Sequence, residues 1–263
     1  MRRLGWASVE VSSGDEFLVI DLFLDNSPLE PFTGPLREPL LKPARGGEAA
    51  AALVTHLHAD HADPAAIAAA IRPGAPVLRP ERAPLDGGPL DGIALAGAEH
   101  GFAERGLATE ELTPWQSREV GPFTITALPA VDGFGDPQVS WAVAAGGRRI
   151  VHMGDTIFHG SWWLIPLRVG PIDLALLPAN GPTVSLPHRQ PPSPFAAAMD
   201  PEQAAAAASL MAAPQAMPIH YDAIDSPPAY AQVDDPAGRF AAAARERGVE
   251  PVVIAAGEEI EVR

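Results

Sequence analysis

The sequence predicts a layered α/β domain, because strand patterns and helix patterns alternate through both halves of the chain. Largely apolar runs such as Ile172 to Leu177 are typical of buried strands, and alanine-rich stretches such as Pro201 to Ala213 are typical of helices. The chain has 263 residues, 47% of them hydrophobic, which is enough to bury a substantial core. We therefore expect a single domain over residues 1–263.

Local patterns predict the individual elements. Apolar and β-branched runs bounded by turn residues predict strands at 6–11, 17–24, 50–54, 77–78, 123–128, 139–144, 149–153, 172–177, 215–219 and 251–255. An aspartate followed by proline is a favoured helix start, and this pair predicts helices at Asp63-Pro64 and Asp200-Pro201. A last helix is predicted over 237–247, and loops are predicted over 81–92 and 181–194. Residues 93–117 give no clear pattern.

A dense set of candidate metal ligands, His56-Leu57-His58-Ala59-Asp60-His61, follows the strand at 50–54. Alternate side chains of an extended segment share one face, so His56, His58 and Asp60 are predicted to point together. Imidazole and carboxylate groups suit zinc, manganese or iron, and a structural zinc site more usually draws on cysteine, which the chain lacks. One such histidine alone would be read as a surface or core residue. Four candidate ligands in six positions predict a catalytic metal site.

Charge and composition bear on partners and location. The chain has 33 acidic and 18 basic residues, and the resulting charge of −15 repels phosphate backbones and anionic membranes. We therefore expect a small-molecule substrate and neither a nucleic-acid nor a membrane partner. The sequence leaves a monomer and a homo-oligomer open. No apolar segment near the N-terminus is long enough for a signal peptide or a membrane span, so a cytoplasmic location is expected.

Asp21 places a carboxylate within the apolar stretch from Val19 to Phe23. Burial of a carboxylate is costly without a partner. We interpret Asp21 as a residue that supports a ligand histidine from behind. The alternative is that Asp21 begins a turn where the strand ends.

Three further residues are candidates for contact with the substrate or with the ligands. His159 follows the turn at Asp155 by four residues, and an ordinary loop histidine is the alternative. His188 and Arg189 lie in the proline-rich loop and are candidates for binding an anionic group, because arginine suits bidentate contact with carboxylate or phosphate.

Several motifs together resemble the metallo-β-lactamase-fold hydrolases. The resemblance rests on the ligand motif from His56 to His61, the turn Gly154-Asp155-Thr156 and the segment Pro218-Ile219-His220-Tyr221. The segments Gly133-Phe134-Gly135-Asp136-Pro137-Gln138 and Met199-Asp200-Pro201-Glu202-Gln203-Ala204 are most similar to bacterial metal-dependent hydrolases related to L-ascorbate-6-phosphate lactonase. The similarity extends from about Asp21 to about His220. It implies a four-layer αββα sandwich with a dinuclear metal site at one edge.

The resemblance also implies roles for individual residues. It places His56 and His58 on the first metal, Asp60, His61 and His220 on the second, and Asp155 as a bridge, with Asp21 as the supporting acidic residue. Two divalent ions, zinc or manganese with iron as a further option, would activate a bridging hydroxide for attack on an ester, lactone or phosphoester. Asp60 is the candidate catalytic residue, as acceptor of the proton. A non-catalytic metal- or ligand-binding protein and a nuclease are the alternatives on this fold.

Asp132 marks a departure from the family pattern, which usually supplies a third histidine to the first metal from this place. With Asp132 as a ligand, the carboxylates of Asp60, Asp132 and Asp155 and one hydroxide would neutralise two divalent cations. The harder oxygen ligand would also move the preference from zinc toward manganese or iron. The alternative is that Asp132 is only a loop residue and the first metal is weakly held. We interpret Asp132 as a ligand.

Overall fold

Two β-sheets lie at the centre of the computed structural model, which describes residues 1–82, 91–187 and 189–263, with 91–94 described by their backbone alone. The first sheet joins six of the described strands in chain order, namely β1 Arg2–Gly5, β2 Ser8–Ser13, β3 Glu16–Ile20, β4 Ala52–Leu53, β5 Pro76–Arg79 and β6 Ala108–Glu111. Strands β1 to β3 pair antiparallel, and β3 to β6 pair parallel. The carboxyl ends of the parallel strands β3 to β6 therefore lie at one edge of this sheet.

The second sheet contains most of the remaining strands. Its members are β7 Ser117–Val120, β8 Phe123–Pro129, β9 Val139–Ala145, β10 Arg148–His152, β11 Leu174–Pro178, β13 Gln215–Ile219 and β15 Glu250–Pro251. They lie in the order β15-β13-β11-β10-β9-β8-β7, while β12 Thr183–Val184 and β14 Tyr230–Ala231 pair separately. Strands β7 to β10 are antiparallel neighbours, and β10, β11, β13 and β15 are parallel.

The helices of the described residues are α1 Glu30–Thr33, α2 Pro64–Ala70, α3 Asp91–Glu104, α4 Leu164–Val169, α5 Pro201–Leu210 and α6 Pro236–Glu246. Helices α2 and α3 lie on the outer side of the first sheet and α4, α5 and α6 on the outer side of the second, whereas α1 adjoins the core between the sheets. In β3, Leu18 packs into the core between the sheets, whereas its neighbour Val19 packs with Ile67 of α2 and Phe102 of α3. This is the alternation that strand geometry imposes. Within the described residues, no helix combines the length and apolar character that a bilayer span requires.

The second sheet divides its side chains in the same way. In β11, Leu176 packs into the core between the sheets, whereas Leu177 packs with Ala208 of α5 and Phe240 of α6. Three apolar cores therefore separate four layers in the order α, β, β, α. The predicted α/β sandwich is confirmed.

Aspartate caps begin the helices where the sequence predicts. The side chain of Asp63 accepts hydrogen bonds from the backbone N–H groups of Ala65 and Ala66 at the start of α2. Asp200 forms a reciprocal capping box with Gln203 at the start of α5. The cap at Asp63 fixes the chain just after the ligand motif, because α2 begins three residues beyond His61.

Several predicted segments differ from the structure. The strand predicted over 6–11 begins at Ser8, because Trp6 adopts a left-handed backbone with φ of 51°. The strand predicted over 17–24 ends at Ile20, because Asp21 adopts a left-handed backbone with φ of 49°, which a strand does not allow. The closing strand predicted over 251–255 is limited to Glu250–Pro251. Residues 93–117, which gave no pattern, contain most of α3 and all of β6. The loop predicted over 81–92 falls mostly outside the described residues.

Candidate metal centre

The candidate ligands gather where strands of both sheets end. Strands β8, β10 and β13 run in the same direction, and they are followed by Asp132, Asp155 and His220. The ligand motif beginning at His56 follows β4 of the other sheet. Side chains that are far apart in sequence are therefore brought to one edge of the sandwich, as is usual for sites in α/β proteins.

Four side chains form the first ligand group: His56, His58, Asp132 and Asp155. Their candidate ligand atoms all lie within 4.8 Å of one another. Nε2 of His56 lies 2.8 Å from Nδ1 of His58 and 3.6 Å from Oδ2 of Asp155. Nδ1 of His58 lies 4.0 Å from Oδ1 of Asp132. That carboxylate oxygen is buried and has no hydrogen-bond partner among the described residues, as expected of an atom that binds a cation.

Three side chains form the second ligand group: Asp60, His61 and His220. Oδ2 of Asp60 lies 3.5 Å from Nε2 of His61 and 3.4 Å from Nε2 of His220. Both ring nitrogens are buried without a hydrogen-bond partner in the described part of the chain, which is costly unless something else satisfies them. The rings of His56 and His61 have centroids 4.2 Å apart, so the two ligand groups are neighbours.

A turn divides the ligand motif between the two groups. The backbone N–H groups of His61 and Ala62 both donate to the carbonyl oxygen of His58. The segment is therefore not extended here, and the prediction that His56, His58 and Asp60 share one face was wrong for Asp60. The structure places Asp60 with the second ligand group.

A glycine lets the turn at Asp155 lie close to the ligand motif. Gly154 has φ of 63°, and a Cβ there would lie 2.8 Å from Oγ1 of Thr55 and 2.9 Å from Nε2 of Gln138. Both the left-handed backbone and the close approach therefore favour glycine at this position.

Three of the four candidate histidine ligands use Nδ1 for a hydrogen bond away from the ligand atoms, and present Nε2 to them. The pairs are His56 Nδ1 with Thr55 Oγ1 at 3.1 Å, His61 Nδ1 with Asp21 Oδ2 at 2.8 Å, and His220 Nδ1 with Asn180 Oδ1 at 3.1 Å. The hydroxyl of Thr55 donates its hydrogen to Asp21, so it accepts from His56. Each Nδ1 therefore carries the hydrogen, and each Nε2 keeps the lone pair that metal binding requires.

The electrostatics of the metal-free site favour a cation. Burial opposes a charge on His61, but the carboxylates of Asp60 and Asp21 outweigh it and raise the pKa of His61 to about 10. Burial also opposes a charge on His58, but the hydrogen bond to Asp136 and the nearby carboxylates raise its pKa to about 9. A divalent metal satisfies the same carboxylates in place of these protons. The imidazole and carboxylate donors, together with the unpaired buried atoms, fit such an ion.

A family model described as the β-lactamase superfamily domain matches residues 18–221, a stretch that contains both ligand groups and more than half of the chain. The chain belongs to the β-lactamase superfamily.

Relatives of this superfamily member can be aligned over nearly its whole length. A UPF0173 metal-dependent hydrolase of Thermus thermophilus is 27% identical over 259 residues, which cover 98% of this chain and 96% of that protein. Igni18, a metallo hydrolase from Ignicoccus hospitalis, superposes with a TM-score of 0.65 at 18% identity, covering 98% of this chain and 95% of that one. CmlA, a diiron β-hydroxylase from Streptomyces venezuelae, superposes with a TM-score of 0.71 at 14% identity, covering 97% and 52%. At these identities the solved structures show the fold alone.

In this β-lactamase superfamily member, Asp21 lies directly behind the ligand motif. Its side chain is completely buried and accepts hydrogen bonds from the backbone N–H and the hydroxyl of Thr55, both at 2.7 Å, as well as from His61. Asp21 therefore has features of both interpretations, a residue that supports a ligand histidine and a residue that begins a turn. The strand ends just before it, and its carboxylate contacts a candidate ligand histidine.

The other supporting candidates lie farther from the ligand atoms. His159 stacks on Trp162 with ring centroids 4.1 Å apart, and its described contacts include none with either ligand group. Arg189 lies 3.6 Å from Oδ2 of Asp136, which in turn contacts His58. His188 lies outside the described residues.

Sequence reasoning missed several residues that contact the ligand groups. The indole N–H of Trp6 donates to Oδ2 of Asp60 at 3.1 Å, and its ring lies 3.9 Å from that of His220. Gln138 donates to Oδ1 of Asp155 at 2.8 Å. Gln138 belongs to a segment on which the family resemblance rests, so that segment could have indicated it. Trp6 gives no such signal, because a tryptophan between apolar strands is typical of any core.

Proposed function

We propose that this chain is a metal-dependent hydrolase that acts on a small-molecule ester, lactone or phosphoester. The observation that carries the proposal is the convergence of buried ligand atoms at the edge of the sandwich. Within the described ranges, Oδ1 of Asp132 and Nε2 of His61 and His220 have no hydrogen-bond partner. Each of these atoms costs free energy of folding while it is buried without a partner, and hydrophobic packing does not compensate for that cost. A bound cation would satisfy them. The relative named as a metal-dependent hydrolase supports the same conclusion.

We propose two divalent ions, one at each ligand group. The first group offers two imidazoles and two carboxylates, and the second offers two imidazoles and one carboxylate. Zinc or manganese would suit these donors, with iron as a further option, and the additional carboxylate favours manganese or iron at the first group. Bound there, a divalent ion would supply the Lewis acidity that polarises a carbonyl or phosphoryl oxygen and acidifies water.

The protein's own residues would orient the reactants and take up the proton. Burial opposes the ionised form of Asp60, but the positive charge of His61 and the nearby ring of His220 outweigh it and hold the pKa of Asp60 well below its usual range. An ionised carboxylate beside the reacting oxygen can accept a proton, so we assign Asp60 as the catalytic residue. The hydrogen bond from Trp6 fixes the direction of that carboxylate.

The charge of the chain favours small substrates over polynucleotides. A formal charge of −15 repels a long phosphate backbone, whereas a single ester, lactone or phosphoester carries little or no such repulsion. Lactones belong among the first substrates to test, because the motif segments resemble hydrolases related to a lactonase.

The proposal is tested by loading the purified protein with Zn²⁺ or Mn²⁺ and measuring turnover of simple lactones, carboxylic esters and phosphoesters. We expect turnover on at least one class, its loss on chelation, and its recovery when the metal is restored, since catalysis depends on the bound ion. A metal-loaded protein that turns over none of them, yet is stabilised by a compound it does not consume, would contradict hydrolysis and favour a binding protein.

Removing the Asp132 carboxylate is expected to weaken metal binding at the first ligand group. Calorimetric titration of metal-free Asp132→Asn should show a loss of one metal equivalent, or a drop of about 10-fold or more in one of two affinities, because a charged ligand oxygen is lost. Oδ2 of Asp132 also accepts hydrogen bonds from the backbone N–H groups of Phe134 and Asp136. Asparagine is therefore preferred to alanine, because it retains an oxygen that can accept them. Unchanged stoichiometry and affinity would leave Asp132 as a turn residue only.

A further inference from the structure

His58 faces the ligand atoms through a different ring nitrogen from the other three histidines. Its Nε2 lies 2.8 Å from Oδ2 of Asp136 and its Nδ1 lies 2.8 Å from Nε2 of His56. An ionised carboxylate accepts hydrogen bonds and cannot donate them, so Nε2 of His58 carries the hydrogen in this contact. Nδ1 is thereby left as the nitrogen that can bind a metal at the first ligand group.

Asp136 is held through both its backbone and its carboxylate. Its backbone N–H donates to Oδ2 of Asp132 at 2.9 Å, so the turn that carries Asp136 is tied to a candidate ligand. On the other side, Nη2 of Arg189 lies 3.6 Å from Oδ2 of Asp136. Arg189 also donates to the carbonyl oxygen of Phe134 at 3.1 Å, and its guanidinium lies 4.8 Å from the centre of the Phe134 ring.

Among the described residues, Asp136 is the carboxylate that contacts the outer nitrogen, Nε2, of His58. An imidazole can turn over and exchange Nδ1 for Nε2, and the hydrogen bond at the outer nitrogen decides which one faces inward. For His56, His61 and His220 that outer bond is at Nδ1, and for His58 it is at Nε2. The first ligand group therefore has one inward Nδ1 and one inward Nε2.

We propose that Asp136 is a positioning residue that directs Nδ1 of His58 into the first metal site, and that Arg189 restrains the Asp136 carboxylate. This inference rests on the proposed function only in requiring that the site binds metal. It also links the proline-rich loop that carries Arg189 to a metal ligand, through Asp136 and His58.

Metal titration tests this role without any substrate. Calorimetric titration of the metal-free full chain with Zn²⁺ measures the affinity of each site. In Asp136→Ala we expect one of the two sites to bind Zn²⁺ about 10- to 100-fold more weakly than in the wild type, which is the usual effect of removing a hydrogen-bond partner of a ligand histidine. Asp136→Asn keeps an acceptor oxygen but loses the charge, so its affinity should lie between those of Asp136→Ala and the wild type. Asp173→Asn is the matched control, because Asp173 lies just before β11, at the opposite end of that strand from the site.

A spectroscopic signature separates positioning from general damage. In ¹H–¹⁵N spectra of the zinc-loaded wild type, the resonances of His58 should show a hydrogen on Nε2 and zinc on Nδ1, and those of His61 and His220 the reverse. In Asp136→Ala only the His58 pattern should be lost, while thermal denaturation of metal-free Asp136→Asn verifies that the turn still folds.

The positioning role would be overturned by equal zinc affinity in all variants or by an unchanged His58 pattern in Asp136→Ala. It would also be overturned if the wild type took up no zinc. Zinc binding that is weakened as expected, in a protein that hydrolyses no test substrate, would support the positioning role and contradict the hydrolase proposal.

Discussion

Asp60→Asn is expected to lower kcat by about 10²- to 10⁴-fold, the range usually supplied by a positioned proton acceptor. The asparagine keeps the shape of the side chain and an oxygen that can accept the indole N–H of Trp6. It removes the negative charge that lies 3.5 Å from Nε2 of His61 and 3.4 Å from Nε2 of His220. The loss should therefore be in catalysis and in metal affinity at the second ligand group, with little change in folding.

The measurement compares kcat, metal content and melting temperature of Asp60→Asn with those of the wild type and of Asp173→Asn. Because Asp60 is also a candidate ligand, turnover is measured at metal concentrations that saturate the variant. His58→Ala, which removes a ligand of the first group, should reduce turnover as well without unfolding the chain. Wild-type kcat in Asp60→Asn at full metal occupancy would exclude Asp60 as the proton acceptor.

The layered fold could be predicted from the sequence because each face of a strand or helix leaves a periodic pattern. The apolar run before Pro178 predicts β11, and the pairs Asp63-Pro64 and Asp200-Pro201 predict the starts of α2 and α5. These patterns arise from interactions within a few residues. Strand ends were less predictable, as at Ile20, where the left-handed backbone of Asp21 ends β3 although the sequence remains apolar to Leu24.

The candidate ligands could be listed from the sequence, but their grouping could not be derived from local spacing. Asp60 belongs with His220 because a hydrogen-bonded turn follows His58, and strand alternation does not account for such a turn. The supporting contacts were still harder to predict. Trp6 is 54 residues from Asp60 along the chain and Asp136 is 78 residues from His58, so only the packing of two sheets brings them together.

Replacing Asp21 by alanine is expected to lower the free energy of unfolding by about 3–5 kcal/mol. This is the usual cost of removing one partner of a buried charged contact while the other partner stays buried. Three donors would lose their acceptor, namely the backbone N–H of Thr55, its hydroxyl and Nδ1–H of His61, in a place from which solvent is excluded. Asp21→Asn should cost less, because its single carboxamide oxygen can still accept from the backbone of Thr55.

Urea denaturation of the metal-free proteins measures this cost, with Asp173→Ala as a control for the loss of a carboxylate away from the site. The effect should extend to the metal, because His61 would no longer be held with Nε2 toward the second ligand group. Metal affinity at that group should fall by about 10- to 100-fold in Asp21→Ala, whereas the first group should change less. An unfolding free energy equal to that of the wild type would contradict the role of Asp21, since a buried acceptor of three hydrogen bonds cannot be removed without cost.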